Sequence, residues 1–208
     1  DSMNYWDFFP TEAGWGQVPV WGFANVVESA HDGVAAGNRY YGYYPIASHL
    51  VVQADRVSER GFTDVASHRA PLAAVYNQYQ RVPARSASEE AAEMLYRPLF
   101  MTSFMLDDYI ATADCFGAQA VILTSASSKT SLGLAALLAQ RPDITVIGLT
   151  SPGNRSFVEG LGCYAEVHTY EESDALDAGR ASVIVDMAGE QGGNCELSKS
   201  GEMVLAEG

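Results

Sequence analysis

In the second half of the chain, short unbroken apolar runs alternate with stretches of helical periodicity. The runs AQAVILT (118–124), ITVIGLT (144–150) and ASVIVDMAG (181–189) are separated by SLGLAALLAQR (131–141) and NRSFVEGLG (154–162), with a shorter strand-like EVHTY at 166–170. A strand covered on both faces has no polar side to display, so it reads as a continuous apolar segment rather than as an alternation. The pattern therefore predicts βαβ units and a parallel sheet with helices on both of its faces.

The front of the chain has another texture. Up to about Val57 it is rich in aromatics, Gly and Pro, with short apolar segments VPVWGFANVVES (18–29) and SHLVVQA (48–54) set apart by turn signals at HDG (31–33) and AAGN (35–38). These features predict short β-strands. The segment RAPLAAVYNQYQRV (69–82) is expected to include a helix, and PARSASEE (83–90) reads as a linker. Ser88, with Glu89 and Glu90 behind it, marks a helix start, and the helix of SEEAAEMLYRPLFMTSFMLDDYIAT is expected to end or kink at Pro98. The fold class is α/β: a β-rich unit over residues 1–87, a helical connection over 88–117 and a Rossmann-like unit over 118–208.

Composition narrows the function classes. The 208 residues carry a formal charge of −14, which argues against nucleic acid or an anionic membrane as partner, since either needs clustered Lys and Arg. No apolar run is long enough to cross a bilayer, and a cytoplasmic protein is expected. Cys115, Cys163 and Cys195 lack a metal or redox spacing, and His31, His49, His68 and His168 are scattered, so no metal site is expected. The sequence holds no G-x-S-x-G elbow of a hydrolase. It begins at Asp1, without Met, directly in NYWDFFP and stops at GEMVLAEG; a fragment of something longer is the expectation.

The chemistry concentrates in LTSASSKTSLGLAALLAQ (123–140). In a parallel α/β sheet the turn after the first strand usually holds a pyrophosphate at a helix N-terminus, and glycines allow the close approach. Here serines, Lys129 and Thr130 stand instead, with Gly133 inside the helix. Hydroxyls can donate to phosphate oxygens and Lys129 adds a positive charge. The alternative is a Ser-rich helix cap with a solvated lysine. A nucleoside-triphosphate P-loop is disfavoured, because Ser128 and Leu123 occupy the places of its glycines. After the next run the chain reads LTSPGNRSF (149–157). Hydroxyls, Asn154 and Arg155 stand there without an acid, which suits a ribose 2′-phosphate and favours NADP over NAD; alternatively Arg155 only opens a helix and faces water.

The segments GNRYYGYYPIASHLVV (37–52), PLFMTSFML (98–106) and ITVIGLTSPGNRSFVEGLGCYAEVHTY (144–170), in that order around the serine loop, resemble the medium-chain dehydrogenase/reductase superfamily. Within it the likeness is to the zinc-independent quinone-oxidoreductase branch. More narrowly, YWDFFP, WGFANVVES, GYYPIASHLVV, AVYNQY, LTSASSKTSLGLA and VEGLGCY are similar to a bacterial family of unknown function, DUF2855, over residues 1–189. The resemblance implies a partial GroES-like front domain, a Rossmann back domain and NADP(H) between them. By matched position it implies Thr102 near the nicotinamide, and Ser125, Ser127, Ser128, Lys129 and Thr130 in the phosphate loop. It places Ser151, Asn154 and Arg155 beside the adenosine ribose, and Asp186 to Gly189 near the cofactor after the fourth strand. Tyr5, Trp6 and Tyr44 would face the substrate cleft, Tyr5 and Tyr44 being the candidate catalytic residues, although such aromatics equally serve as core or wall. The family pattern continues beyond both ends of the chain, so the resemblance also implies truncated sheets whose open edges favour a homo-oligomer.

The leading expectation is an NADP(H)-dependent reductase-like protein passing a hydride to a quinone or enone, a small-molecule acceptor, without metal. The rival is a non-catalytic binding or scaffold protein that keeps the fold.

Overall fold

A computed structural model of the chain describes residues 4–176, 182–187 and 203–205. The chain divides into two compact units, Asp1–Leu95 and Tyr96–Gly208.

The first unit is an antiparallel sheet of β1 (Pro19–Asn25), β2 (Arg39–Pro45), β3 (Ala54–Ser58), β4 (Gly61–Asp64) and β5 (Gln78–Arg81), in the order β1-β2-β5-β4-β3. β1 and β2 pair in register from Pro19 opposite Pro45 to Asn25 opposite Arg39. The tyrosines of β2 alternate between the sheet's faces, as the period of two requires. Tyr40 and Tyr44 pack with Val34, Phe62 and Tyr79, while Tyr43 packs with Phe8, Phe9, Trp21 and Tyr76. Arg69, 1% exposed, lies between these layers with its ion-pair partner Asp64 at 3.2 Å and its guanidinium 4.7 Å from the Phe9 ring.

The second unit is a parallel sheet of β6 (Ala120–Leu123), β7 (Thr145–Thr150), β8 (Glu166–Thr169), β9 (Ser182–Asp186) and β10 (Met203–Leu205), ordered β10-β9-β6-β7-β8. Counted from β6, that is the 3-2-1-4-5 order of a doubly wound Rossmann-like fold. β6 lies at its centre, and all four of its residues are buried. Val121 and Leu123 pack with Val146, Val183 and Val185 against Leu134 and Leu138 of α2 (Lys129–Leu138) and Ile110 of α1 (Ala87–Thr112). Ala120 and Ile122 pack on the other face with Ile147 and Leu149 under Tyr170. This double covering accounts for the unbroken apolar runs in the sequence. A short α3 (Arg155–Gly160) connects β7 to β8.

The α1 helix departs from its sequence expectation at its start, and of the two outcomes expected at Pro98 it does not show an end. It runs 26 residues through Pro98 without ending, the strong helix formers on both sides outweighing one missing N–H and one ring clash. It is also capped by Ser86 rather than Ser88. The Ser86 Oγ accepts from the N–H of Glu89 at 3.4 Å while the Glu89 carboxylate accepts from the N–H of Ser86 at 3.0 Å, a reciprocal capping box. The helix expected within 69–82 is a short 3-10 helix, Ala74–Asn77, preceded by another at Ser67–Arg69 and followed by β5. The backbone of this stretch is held by Asn77, whose Nδ2 donates to the Arg69 carbonyl at 3.1 Å. SHLVVQA contributes only its last residue to a strand.

Candidate functional site

The turn between β6 and α2 is built on hydroxyls. Ser128 is the N-cap of α2: its Oγ accepts from the N–H of Ser131 at 3.2 Å and donates to the Ser131 Oγ at 3.0 Å. The buried Ser131 in turn donates to the carbonyl of Thr124 at 2.8 Å. This relay ties the helix start to the strand end and uses the Ser128 proton inside the protein. Ser125 takes the position where glycine would be expected, with a φ of +46°, in the left-handed region that costs an L-residue about 1–2 kcal/mol. Its N–H donates to the Tyr170 hydroxyl at 2.8 Å and its carbonyl accepts from the N–H of Ser128 at 2.7 Å. Tyr164, arriving after α3, donates to the carbonyl of Ala126 at 2.9 Å, so two tyrosines clamp the loop from the β8 side.

On the opposite side of β6 the loop is joined to β9. The Thr124 hydroxyl donates to Asp186 Oδ1 at 2.5 Å and accepts from the N–H of Met187 at 2.8 Å. The carboxyl ends of the first and fourth strands are thereby fastened together at the point where the order of strands reverses, the crevice in which such sheets bind ligands. Gly189, the other end of the sequence-predicted segment, lies outside the described residues.

Several donors of the loop have no acceptor among the described residues. Lys129 is exposed and has no ion pair among the described residues. The N–H groups of Lys129 and Thr130 open α2, where no intrahelical acceptor reaches them. Ser127 accepts from Asn154 Nδ2 at 3.2 Å and keeps its own proton available. These donors, with the positive end of the helix dipole, suit one anionic phosphate group.

The α1 helix approaches α2 closely at this point. Ser103 donates to the Thr130 carbonyl at 2.8 Å and to its own Leu99 carbonyl at 3.2 Å. A Cβ on Gly133 would stand 2.7 Å from Ser103 Oγ, which is why the helix interior carries glycine here. Thr102, the residue singled out in the sequence, is exposed, whereas its neighbour Ser103 is the buried one that touches the loop. Sequence reasoning missed Ser103, Tyr164 and Tyr170; the unusual mid-helix Gly133 was the one signal of a close approach.

At the end of β7, Ser151 and Asn154 are exposed. Arg155 is committed to carboxylates: Nε donates to Glu159 at 2.9 Å and Nη1 donates to both oxygens of Glu172 at 2.8 and 2.9 Å. Glu172 also accepts from the N–H of Thr169 at 3.0 Å, and that bond, followed by Arg155, holds its carboxyl below the usual carboxylate range. The arginine that the sequence reading assigned to a 2′-phosphate is thus neutralised by two acids.

Tyr5 and Tyr44 are packed against opposite faces of the antiparallel sheet. Tyr5 meets Tyr76 with hydroxyls 3.0 Å apart and belongs to the Tyr43 side. Tyr44 donates to the Tyr40 carbonyl at 3.0 Å, and burial, helped by Tyr79, raises its pKa well above the ordinary phenol range. The two do not converge on one point. Trp6 is half exposed. Among the described residues no three His, Cys, Asp or Glu side chains come together in a metal-holding group, and no helix is long and apolar enough to cross a membrane. Burial raises the thiols of Cys115 and Cys163.

The sequence pattern of a family described as "Protein of unknown function (DUF2855)" matches residues 1–203. No curated protein matches the chain. Among solved structures, human synaptic vesicle membrane protein VAT-1 homolog-like protein is similar at 16% identity and a TM-score of 0.44, covering 82% of this chain and 48% of its own. Bacillus subtilis protein yhfP, solved with NAD bound, is similar at 14% identity and a TM-score of 0.46, covering 90% of this chain and 63% of its own. The quinone oxidoreductase from Coxiella burnetii is similar at 14% identity and a TM-score of 0.39, covering 84% and 61%. The chain spans less than two thirds of each of these proteins, and at such scores the likeness carries no argument about activity.

Proposed function

The chain belongs to the DUF2855 family of proteins of unknown function, and from that premise we propose that it is a reductase-like protein that binds NADP(H) at the β6–α2 turn. The observation that carries the reading is the switch point itself. The loop after the central strand presents Lys129, Ser127 and two unused N–H groups at a helix N-terminus, and Thr124 fastens it to Asp186 of β9. Bound there, the cofactor supplies a hydride for a quinone or an enone. The chain's own residues bind and orient. Lys129, Ser127 and the amides of Lys129 and Thr130 hold the pyrophosphate, Ser151 and Asn154 lie toward the ribose, and Asp186 is kept in place by Thr124. The reading involves no metal. Proton delivery to the reduced acceptor falls to water or to a tyrosine; of the two candidates, Tyr44 has its proton held on a backbone carbonyl, whereas the Tyr5 hydroxyl shares a hydrogen bond with Tyr76.

A second reading, a non-catalytic binding protein that retains the fold, is favoured by a specific observation. The Ser128 hydroxyl, the Ser125 amide and the Arg155 guanidinium are all engaged inside the protein. Thermal-shift titration with NADPH and with NADH separates the two. Stabilisation by NADPH that Lys129→Ala reduces roughly tenfold in affinity, as expected for one charge-assisted contact, supports the reductase reading. No shift with either nucleotide overturns it.

A further inference from the structure

A groove of about 580 Å³ lies over β3, β4 and β5 in the first unit, within the ~300–1,000 Å³ range of small-molecule sites. Its lining includes Arg56, Arg60 and Arg81 and one acid, Glu59. That is a net positive surface in a chain of net charge −14 with only 12 basic residues. The arginines are not neutralised by their neighbours. Among the described residues Arg56 and Arg60 form no ion pair, and Arg81 donates to an uncharged acceptor, Asn38 Oδ1, at 3.0 Å. Asp55, next in the chain to Arg56, turns its carboxylate onto the Arg56 backbone N–H at 2.7 Å.

The backbone is shaped to present these side chains. The β3–β4 pairing is broken by a bulge between Asp55 and Ser58, and Arg56 within it has a φ of +50°, a conformation an arginine rarely adopts. Bulges of this kind re-aim a side chain. Opposite, Gly61 has a φ of +151°, and a Cβ there would stand 2.0 Å from the Tyr79 carbonyl, so glycine lets β4 lie against β5 to form the floor. Thr63 and Gln78, paired across that floor, add neutral polar groups to the lining.

We propose that this groove is a binding site for a small organic phosphate, its phosphate held by Arg56, Arg60 and Arg81. Guanidinium forks match phosphate oxygens in geometry as well as in charge. The volume exceeds what a bare phosphate fills and leaves room for an organic body over Thr63 and Gln78. The site is separate from the β6–α2 turn and does not depend on the nucleotide reading of that turn.

Isothermal titration of the full chain with inorganic pyrophosphate at low ionic strength tests it, with citrate as the non-phosphate anion. In the Lys129→Ala background, Arg56→Gln/Arg60→Gln is expected to weaken the remaining pyrophosphate binding at least about tenfold. Glu59→Gln is expected to tighten it, and Lys129→Ala to leave a binding component of unchanged affinity. Glu59→Gln keeps the test decisive if the double variant folds poorly. Absence of pyrophosphate binding, its complete loss in Lys129→Ala, or citrate binding as tight as pyrophosphate overturns the proposal.

Discussion

Replacing Ser125 with glycine is expected to stabilise the second unit. Ser125 holds a φ of +46° and its side chain makes no hydrogen bond among the described residues, its backbone N–H and carbonyl carrying the contacts to Tyr170 and Ser128. Releasing a left-handed L-residue returns about 1–2 kcal/mol. The greater freedom of glycine in the unfolded chain takes back about 0.5–1 kcal/mol. The net gain is roughly 0.5–1 kcal/mol, which raises Tm by about 1–4 °C in a protein of this size. Urea unfolding followed by circular dichroism, with thermal melts alongside, measures it. Ser128→Ala is the companion variant: it removes the N-cap of α2 at a normal φ of −73° and is expected to cost about 1 kcal/mol. A Ser125→Gly protein less stable than the parent, beside a Ser128→Ala protein that loses stability as stated, would refute the reasoning. It would mean that the Ser125 hydroxyl contributes more than its backbone strain costs.

Gly133→Ala should lower stability by about 1–3 kcal/mol through overpacking against Ser103, despite the better helix propensity of alanine, and Ser103→Ala should recover part of the loss in urea unfolding. Glu172→Gln should flatten the acid limb of stability. The Glu172 carboxyl titrates below its unfolded value, so its contribution is present at neutral pH and is lost as pH falls through the depressed value; urea midpoints from pH 7 down to about 3 compare the two proteins. The same variant frees Arg155 from Glu172, and if Arg155 then meets a 2′-phosphate it should raise affinity for NADPH relative to NADH by a few fold, read by thermal shift; an unchanged ratio rules out that role for Arg155.

The parallel sheet was legible because burial on both faces leaves a mark on every residue of a strand: AVIL of β6 and TVIGLT of β7 have no polar side. The serine loop was legible by position, from its place between a strand and a helix. What the sequence did not disclose depends on tertiary partners. Whether Arg155 meets a phosphate or a carboxylate is decided by Glu172, 17 residues later on another element. Whether Ser128 donates outward or inward is decided by the buried Ser131. Pro98 fails to stop α1 because the sum of local preferences over a long helix exceeds one local penalty. The helix within 69–82 is limited to a short 3-10 piece, its chain held by Asn77 and Arg69 in turns that no periodicity announces.

The central place of β6 also sets a schedule. Its partners on one side arrive early, since β7 begins soon after α2, but β9 closes the other side only after a further long segment, and the Thr124–Asp186 bond spans 62 residues. At synthesis rates of roughly 5–20 residues per second, the nascent chain carries an unclosed strand edge for about 3–12 s. During that interval the apolar AVIL segment has a free row of amides and carbonyls open to other nascent chains. Long-range parallel pairing is slow to form in any case. Yield of the intact protein should therefore respond to translation speed and to chaperone supply more than to the equilibrium stability of the finished sheet.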